Sequence, residues 1–295
     1  MKTMKWMVGL LVLVGILALS IHSFATHGDR PATNKAIVLA AFGTTVPEAQ
    51  KALDHIDSLA KQAFPQVEIR WAYTSKIVRN KLAKQGKVID SPETALSRLM
   101  DEGYTHVAVL PLHTIPGAEF HELYHNVRLF GQMAGGFQQV AVALPLLSSH
   151  QDMVQVAKAM LHHVPAQRTA DEAVVLMGHG SEHHPSDAIY PAMNQVFQEM
   201  DPNVFVGTVE GYPAIDDLLP KLRAREVKKV YLMPLMAVAG DHARNDMAGP
   251  DADSWKSILE KNGYTCESIL QGTGEYPRVV QVWLDHLHTA YTQLQ

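Results

Sequence analysis

Short apolar segments alternate with longer helical patterns along this chain, and that alternation restricts the fold more than any other feature of the sequence. The apolar segments are 36–43, 67–74, 106–113, 140–147, 173–180, 203–211 and 229–236. Between them, apolar residues recur with helical spacing. Short apolar strands that alternate with helices are typical of a parallel sheet covered on both faces. The sequence therefore predicts an α/β fold with doubly wound parallel sheets.

The two halves of the chain resemble each other, which indicates an internal duplication. AIVLAAFGTT in the first half aligns with AVVLMGHGSE in the second at an offset of 137 residues, and the same offset pairs VEIRWAYTS with VFVGTVEGY. VAVLPLHTIPGAEF aligns with VYLMPLMAVAGDHA at an offset of 123 residues. We therefore predict two similar α/β domains, residues 26–150 and 151–295, that face each other across an active-site cleft.

The first 25 residues carry the features of a secretory signal peptide. Lys2 and Lys5 precede an apolar run, and Ser23-Phe24-Ala25 supplies a cleavage site with small residues at the required positions. We expect cleavage after Ala25 and a periplasmic mature protein that no longer contacts the membrane. The alternative is an uncleaved membrane anchor, although the apolar run is short for a membrane span.

The composition narrows the chemistry available to the protein. The formal net charge is −5 and the chain has no basic block, so nucleic acid is not an expected partner. Cys266 is the single cysteine, which leaves no partner for an internal disulfide. The chain contains 16 histidines, so we expect any metal chemistry to use imidazoles and carboxylates.

Polar side chains follow three strands of the second half at their carboxyl ends. These side chains are His179, Glu210 and His242. Open parallel sheets bind their ligands at that edge, so the three residues are expected to lie close together. Two imidazoles and a carboxylate are a common ligand set for a divalent transition metal, and three protein ligands leave positions open for exchange. The sequence therefore predicts a metal site of His179, Glu210 and His242.

The first half presents different residues at the same strand ends. The repeat aligns Phe42, Tyr73 and Glu119 with His179, Glu210 and His242, respectively. The duplication thus separates a shared scaffold from a metal site that only the second copy carries. Glu119 is expected to face that site from the opposite wall of the cleft.

Several residues near these strand ends have alternative interpretations. Asp241 and Asp246 lie close to His242 in the sequence, and either could orient its imidazole through the second ring nitrogen. His183 and His184 either belong to a helix start, with Ser181 as its cap, or line the rim of the cleft.

His121 and His125 form a second cluster in the first half. They are four residues apart and therefore lie on one face of a predicted helix. We predict that this pair forms a separate site for a metal or a haem iron.

Four segments together resemble one known family. MGHGSEHH, VEGYP and MPLMAVAGDHARNDMAG, in that order and spacing, are similar to the anaerobic sirohydrochlorin cobaltochelatases of the class II chelatases. LPLHTIPGAEFHEL in the first half matches the same family. The likeness covers roughly residues 35 to 290. It implies two similar α/β domains and a homo-oligomeric assembly.

The resemblance also implies an activity, the ATP-independent insertion of Co²⁺ into sirohydrochlorin during cobalamin biosynthesis. It makes His179 and His242 the metal-binding histidines and Glu210 the carboxylate that completes the shell. Two pyrrole N–H protons must leave as the metal enters, and an imidazole is a suitable base. We expect His179 to take one proton and Glu119 to take or relay the other.

The substrate carries eight carboxylates, which require cations at the rim of the cleft. The candidates are Arg70, Lys76, Arg79 and Arg244.

Three alternative functions follow from the same residues. The same ligands could insert Fe²⁺ and give sirohaem, because the donor set does not separate the two metals. The second alternative is an exported carrier of haem or metal that uses this fold without turnover. The signal peptide and the pair His121 and His125 favour this alternative. The third alternative is a two-lobed periplasmic metal receptor, which the family resemblance disfavours.

Overall fold

Two four-stranded parallel sheets organise the protein. The computed structural model describes residues 33–295. The first sheet has the order β2-β1-β3-β4 and the second has the order β6-β5-β7-β8. The strands are β1 (Lys35–Ala41), β2 (Glu68–Tyr73), β3 (His106–Pro111), β4 (Gln139–Val142), β5 (Glu172–Gly178), β6 (Val204–Thr208), β7 (Lys229–Pro234) and β8 (Thr265–Ser268). The predicted α/β class with parallel sheets is therefore confirmed.

Helices connect successive strands and cover the sheets. The α-helices of residues 33–295 are α1 (Gln50–Ala63), α2 (Lys76–Lys84), α3 (Pro92–Asp101), α4 (Ala118–Phe130), α5 (His150–Leu161), α6 (Ile189–Met200), α7 (Ile215–Ala224), α8 (Trp255–Lys261) and α9 (Pro277–Thr292). Shorter 3₁₀ turns span Pro185–Ala188 and Thr273–Glu275, and a π-helical turn spans Ala243–Met247. No helix in this part of the chain is both long and apolar enough to cross a membrane.

The central strands are apolar because helices bury both of their faces. Six of the seven residues of β1, six of the seven of β5 and all six of β3 are buried. The edge strand β8 has the sequence TCES and is only partly buried. It therefore lacks the apolar pattern that predicts the other strands, and it was not predicted from the sequence.

The register of the sheets confirms two of the three repeat alignments and corrects the third. Strand β1 pairs with β3, and β5 with β7, in registers that agree with the offsets of 137 and 123 residues. Gly43 and Gly180, also 137 residues apart, both adopt the left-handed conformation, with φ of 93° and 88°. The pairing of β2 with β1, however, is shifted by two residues relative to the pairing of β6 with β5. Tyr73 pairs with Ala41, and Thr208 pairs with Gly178, which is the counterpart of Ala41 in the second half. Tyr73 therefore corresponds to Thr208, and the alignment of Tyr73 with Glu210 was wrong.

The last helix of the chain packs against the first sheet. Helix α9 contacts β3, β4, α1 and α5, so a segment from the end of the second half completes the core of the first. Trp283 of α9 is fully buried there, and its indole Nε1 donates to the carbonyl of His113 at 3.4 Å. The predicted division at residue 150 falls where α5 begins and stays a prediction. The predicted signal peptide lies outside the described residues.

Candidate metal centre and cleft

A cleft of about 920 Å³ lies at the carboxyl ends of the strands of both sheets. Loops that follow β1, β2 and β3 line one wall, and loops that follow β5, β6 and β7 line the other. Each predicted strand-end residue except Tyr73 lines this cleft. The first wall is apolar where Phe42 and Ile77 are 50% and 70% exposed. The second wall carries the polar candidates His179, Glu210 and His242.

His179, Glu210 and His242 approach one another on the second wall. The rings of His179 and His242 stand edge to face with their centroids 4.7 Å apart. A carboxylate oxygen of Glu210, Oε2, lies 3.9 Å from Nδ1 of His179. Within residues 33–295, no three histidine, cysteine, aspartate or glutamate side chains are already gathered as a metal shell. The three side chains are therefore neighbours that must move closer to share one ion.

The hydrogen bonds of the two imidazoles determine which ring nitrogen is available. Nδ1 of His242 lies 2.6 Å from Oδ2 of Asp246, and Nδ1 of His179 lies 3.1 Å from the carbonyl oxygen of Gly180. Carboxylate and carbonyl oxygens only accept, so both Nδ1 atoms carry a proton in these contacts. Each ring therefore keeps the lone pair of Nε2 for a metal or a proton. Of the two candidate aspartates, Asp246 orients His242, while Asp241 accepts from Asn245 instead.

Asp187 joins the loop of His179 to the loop of Glu210. Its two carboxylate oxygens accept from the backbone N–H groups of Ser181 at 2.9 Å and Tyr212 at 2.8 Å. Between these contacts, the backbone N–H of Glu210 donates to the carbonyl of His179 at 2.7 Å. The two metal-ligand candidates thus lie on backbone segments that one carboxylate ties together.

The close approach of these two loops depends on Gly180. A Cβ atom at this position would lie 2.5 Å from the carbonyl oxygen of Glu210, and the φ of +88° is unfavourable for any residue with a side chain. Beneath the loop, Tyr190 is buried. Burial raises the pKa of the Tyr190 phenol to about 12, so this group stays protonated and is not a base for the cleft.

Glu119 and His113 face the metal candidates from the first wall. Glu119 is at the start of α4, as the repeat predicts, and lines the cleft. Its Oε2 lies 3.4 Å from Nε2 of His113. His113 was not among the predicted site residues, although it lies two residues after β3, close to a strand end like the other candidates. Asp187 was not predicted either, because its role depends on the path of the loop and the sequence offers no signal for it.

The remaining histidines take different positions. His184, not Ser181, caps the 3₁₀ turn, since its Nδ1 accepts from the backbone N–H of Ser186 at 3.2 Å. The side chain of His183 is 95% exposed at the rim of the cleft.

His121 and His125 are exposed on α4, and the ring of His121 neighbours His184 at 5.2 Å between centroids. A metal or haem iron at His121 and His125 stays a prediction.

The predicted cations do not line the cleft. Arg70 forms ion pairs with Glu68 and Glu102, and Arg79 donates to the carbonyl oxygens of Tyr73 and Thr74. Of all arginines and lysines in residues 33–295, only Lys81 lines it.

Arg244 donates to the carbonyl oxygen of Ala239 at 3.2 Å and has a carboxylate oxygen of Glu48 at 3.9 Å.

Cys266 lies on β8, away from the cleft, and burial raises the pKa of its thiol to about 12. The thiol is therefore protonated at neutral pH, which makes it a poor metal ligand.

Comparison with known proteins identifies the family of this chain. The family model described as "Cobalt chelatase (CbiK)" matches residues 35–292. The chain is 44% identical over 275 residues to a sirohydrochlorin cobaltochelatase of Nitratidesulfovibrio vulgaris, which covers 93% of this chain and 97% of that protein. It is 37% identical over 258 residues to the sirohydrochlorin cobaltochelatase of Salmonella typhimurium, covering 87% and 96% of the two chains.

A solved structure shows the same fold at lower sequence identity. SirB from Bacillus subtilis, determined with Fe³⁺, superposes with a TM-score of 0.61 and 17% identity over 88% of this chain and 97% of that one. The family match spans both sheets and every strand-end residue described above. This chain therefore belongs to the cobalt chelatase family of the class II chelatases.

Proposed function

We propose that the protein inserts Co²⁺ into sirohydrochlorin without ATP. The observation that carries this proposal is the meeting of His179, Glu210 and His242 in one cleft opposite an apolar wall. The relatives with 44% and 37% identity are both named sirohydrochlorin cobaltochelatases, which supports the same substrate and metal here. The chain therefore takes Co²⁺ as a substrate that it delivers.

The second wall would receive the metal first. Nε2 of His179, Nε2 of His242 and the carboxylate of Glu210 form a ligand set with open positions, as delivery of an ion requires. Hydrogen bonding of His242 to Asp246 fixes its ring and increases its basicity as a ligand. The macrocycle would lie against the exposed side chains of Phe42 and Ile77 on the first wall.

Proton release accompanies the transfer of the metal. As Co²⁺ leaves Nε2 of His179 for the ring nitrogens, that lone pair becomes free and accepts one pyrrole proton. Glu119, on the opposite wall, accepts the second proton. The metal thus leaves toward the macrocycle while each wall removes one proton.

Fe²⁺ insertion, which would give sirohaem, is the alternative reaction of the same site. Two imidazoles and a carboxylate suit Fe²⁺ as well as Co²⁺, since the donor set alone does not select between them.

Anaerobic absorbance spectroscopy tests the proposal. We expect sirohydrochlorin to be converted by the protein with Co²⁺, and conversion to be lost in His179→Ala. Rates measured with Co²⁺ and Fe²⁺ in parallel determine the preferred metal. Tight binding of metal or tetrapyrrole with no conversion above the uncatalysed rate would refute the enzyme and favour a carrier.

Two further proposals concern the setting of the enzyme. We propose that residues 1–25 export the protein to the periplasm, on the signal-peptide pattern around Ala25. Cell fractionation and N-terminal sequencing of the mature protein would test this. We also propose a homo-oligomer, as the family resemblance implies, which light scattering on the purified protein would test.

A further inference from the structure

His113 has an unusual environment for a histidine that is largely buried. It lies two residues after the end of β3 and lines the cleft, yet its side chain is only 11% exposed. Neither Nδ1 nor Nε2 has a hydrogen-bond partner. Its nearest ionic neighbour is Oε2 of Glu119, 3.4 Å from Nε2, and this contact is not a hydrogen bond. Buried polar groups are normally bonded, so this exception calls for a functional explanation.

His106, the fully buried histidine of the first half, follows the usual rule. His106 is 2% exposed, and its two ring nitrogens contact Oγ1 of Thr105 and the carbonyl of Gln295, each at 2.8 Å. Within residues 33–295, His113 is the one histidine whose buried ring nitrogens lack partners. The fold can therefore satisfy a buried imidazole, and it leaves the imidazole beside Glu119 unsatisfied.

The backbone of His113 is held firmly. Its carbonyl oxygen accepts from the backbone N–H of Leu146 at 3.0 Å and from Nε1 of Trp283 at 3.4 Å. The residue is thus anchored through its backbone, while its ring nitrogens stay unbonded at the cleft wall.

We propose that His113 receives, through Glu119, the second proton that leaves the macrocycle. A pyrrole N–H bond breaks and an O–H bond forms on the carboxylate of Glu119. That O–H bond then breaks, and the proton joins Nε2 of His113. The products of the relay are an imidazolium and a regenerated carboxylate, which form an ion pair across the present 3.4 Å contact. This inference rests on the proposed chelatase function.

The relay provides a stronger final proton acceptor than Glu119 alone. A carboxylate holds a proton less firmly than an imidazole does, so it is the weaker sink for a pyrrole proton. An imidazole with an unbonded nitrogen beside the carboxylate can accept the proton without first breaking another hydrogen bond. The side chain of Glu119 is 48% exposed, so it can return the proton to water once the product has left.

The test uses two variants of His113 and one matched control. His113→Leu removes the imidazole at similar volume, and His113→Gln keeps a polar side chain without a base. We expect both to lower kcat by about tenfold or more, because a positioned proton acceptor contributes at least that much. The KM for sirohydrochlorin and the Kd for Co²⁺ should stay within about twofold, because the metal ligands lie on the other wall.

Stability separates this role from a structural one. His113→Leu should keep or raise the melting temperature, because it removes two unsatisfied buried nitrogens. The control His106→Gln should do the opposite, lowering the melting temperature and leaving kcat unchanged.

Coupling to Glu119 completes the test. In a Glu119→Gln background, His113→Gln should cause no further loss of kcat, because the relay is already broken. An unchanged kcat in both His113 variants, or additive losses with Glu119→Gln, would overturn the proposal. Absence of Co²⁺ insertion by the wild-type protein would instead overturn the chelatase function.

Discussion

The contact between His242 and Asp246 fixes the tautomer of a proposed metal ligand, and its removal has a measurable consequence. We predict that Asp246→Ala weakens Co²⁺ binding by about 10- to 100-fold, as loss of such an outer hydrogen bond does elsewhere. Asp241→Ala is the matched control, since it removes a nearby carboxylate that bonds Asn245 rather than His242. Anaerobic competition titration measures both, and equal losses would mean that charge, not orientation, is responsible.

Single residues of the site differ in how far the sequence predicts them. The rule that ligands gather at the carboxyl ends of parallel strands is sufficient to bring His179, Glu210 and His242 into one cleft. The choice of Asp246 over Asp241 depends on the helical turn, which places residues four apart on one side. Asp187 could not be found, because its carboxylate reaches two loops whose separation no sequence pattern encodes.

At the scale of secondary-structure elements, Asp187 holds the loop after β5 close to the loop after β6. We predict that Asp187→Asn weakens Co²⁺ binding about tenfold, because an amide offers only one oxygen to the two N–H groups it must accept from. The unfolding free energy should fall by about 0.5–1.5 kcal/mol as one partly buried or exposed backbone N–H loses its carboxylate partner. Titration with Co²⁺ and urea unfolding measure these two effects.

Asp217→Asn is the control for that experiment. Oδ2 of Asp217 accepts from the backbone N–H of Ala214 at the start of α7, close in sequence to Glu210 but outside the cleft. This variant should lower stability by about 1 kcal/mol and leave Co²⁺ affinity unchanged. A loss of affinity as large as that of Asp187→Asn would contradict the specific role of Asp187.

Strands β2 and β6 show where the sequence alignment of the two halves differs from their structural alignment. Apolar side chains alone align β2 with β6, and a shift of two residues preserves the inward and outward alternation of a strand. The sequence therefore could not choose between Glu210 and Thr208 as the counterpart of Tyr73. Strands β1, β3, β5 and β7 aligned correctly because their loops add the glycines and prolines that fix the register.

At the scale of the whole molecule, bound Co²⁺ should stabilise the folded state against unfolding. The proposed ligands come from the loops after three strands of the second sheet, so one ion links three connections. We predict that Co²⁺ at about 100 times its Kd raises the free energy of unfolding by about 2.7 kcal/mol. Thermal or urea unfolding with and without Co²⁺ measures this, and His179→Ala should lose most of the effect. Equal stabilisation in that variant would indicate that Co²⁺ binds elsewhere.

The docking of α9 on the first sheet predicts that both halves unfold together. Trp283 is fully buried in that interface and donates to the carbonyl of His113, so it also supports the first wall of the cleft. We predict that Trp283→Ala lowers the free energy of unfolding by about 3–5 kcal/mol, as expected for a large aromatic side chain removed from a core. Circular dichroism and tryptophan fluorescence should still report one coincident transition, because one hydrophobic cluster contains buried side chains of both sheets and of α9. A second transition, in which the fluorescence of Trp255 persists after the first sheet has unfolded, would show that the halves are independent and that α9 only covers the first.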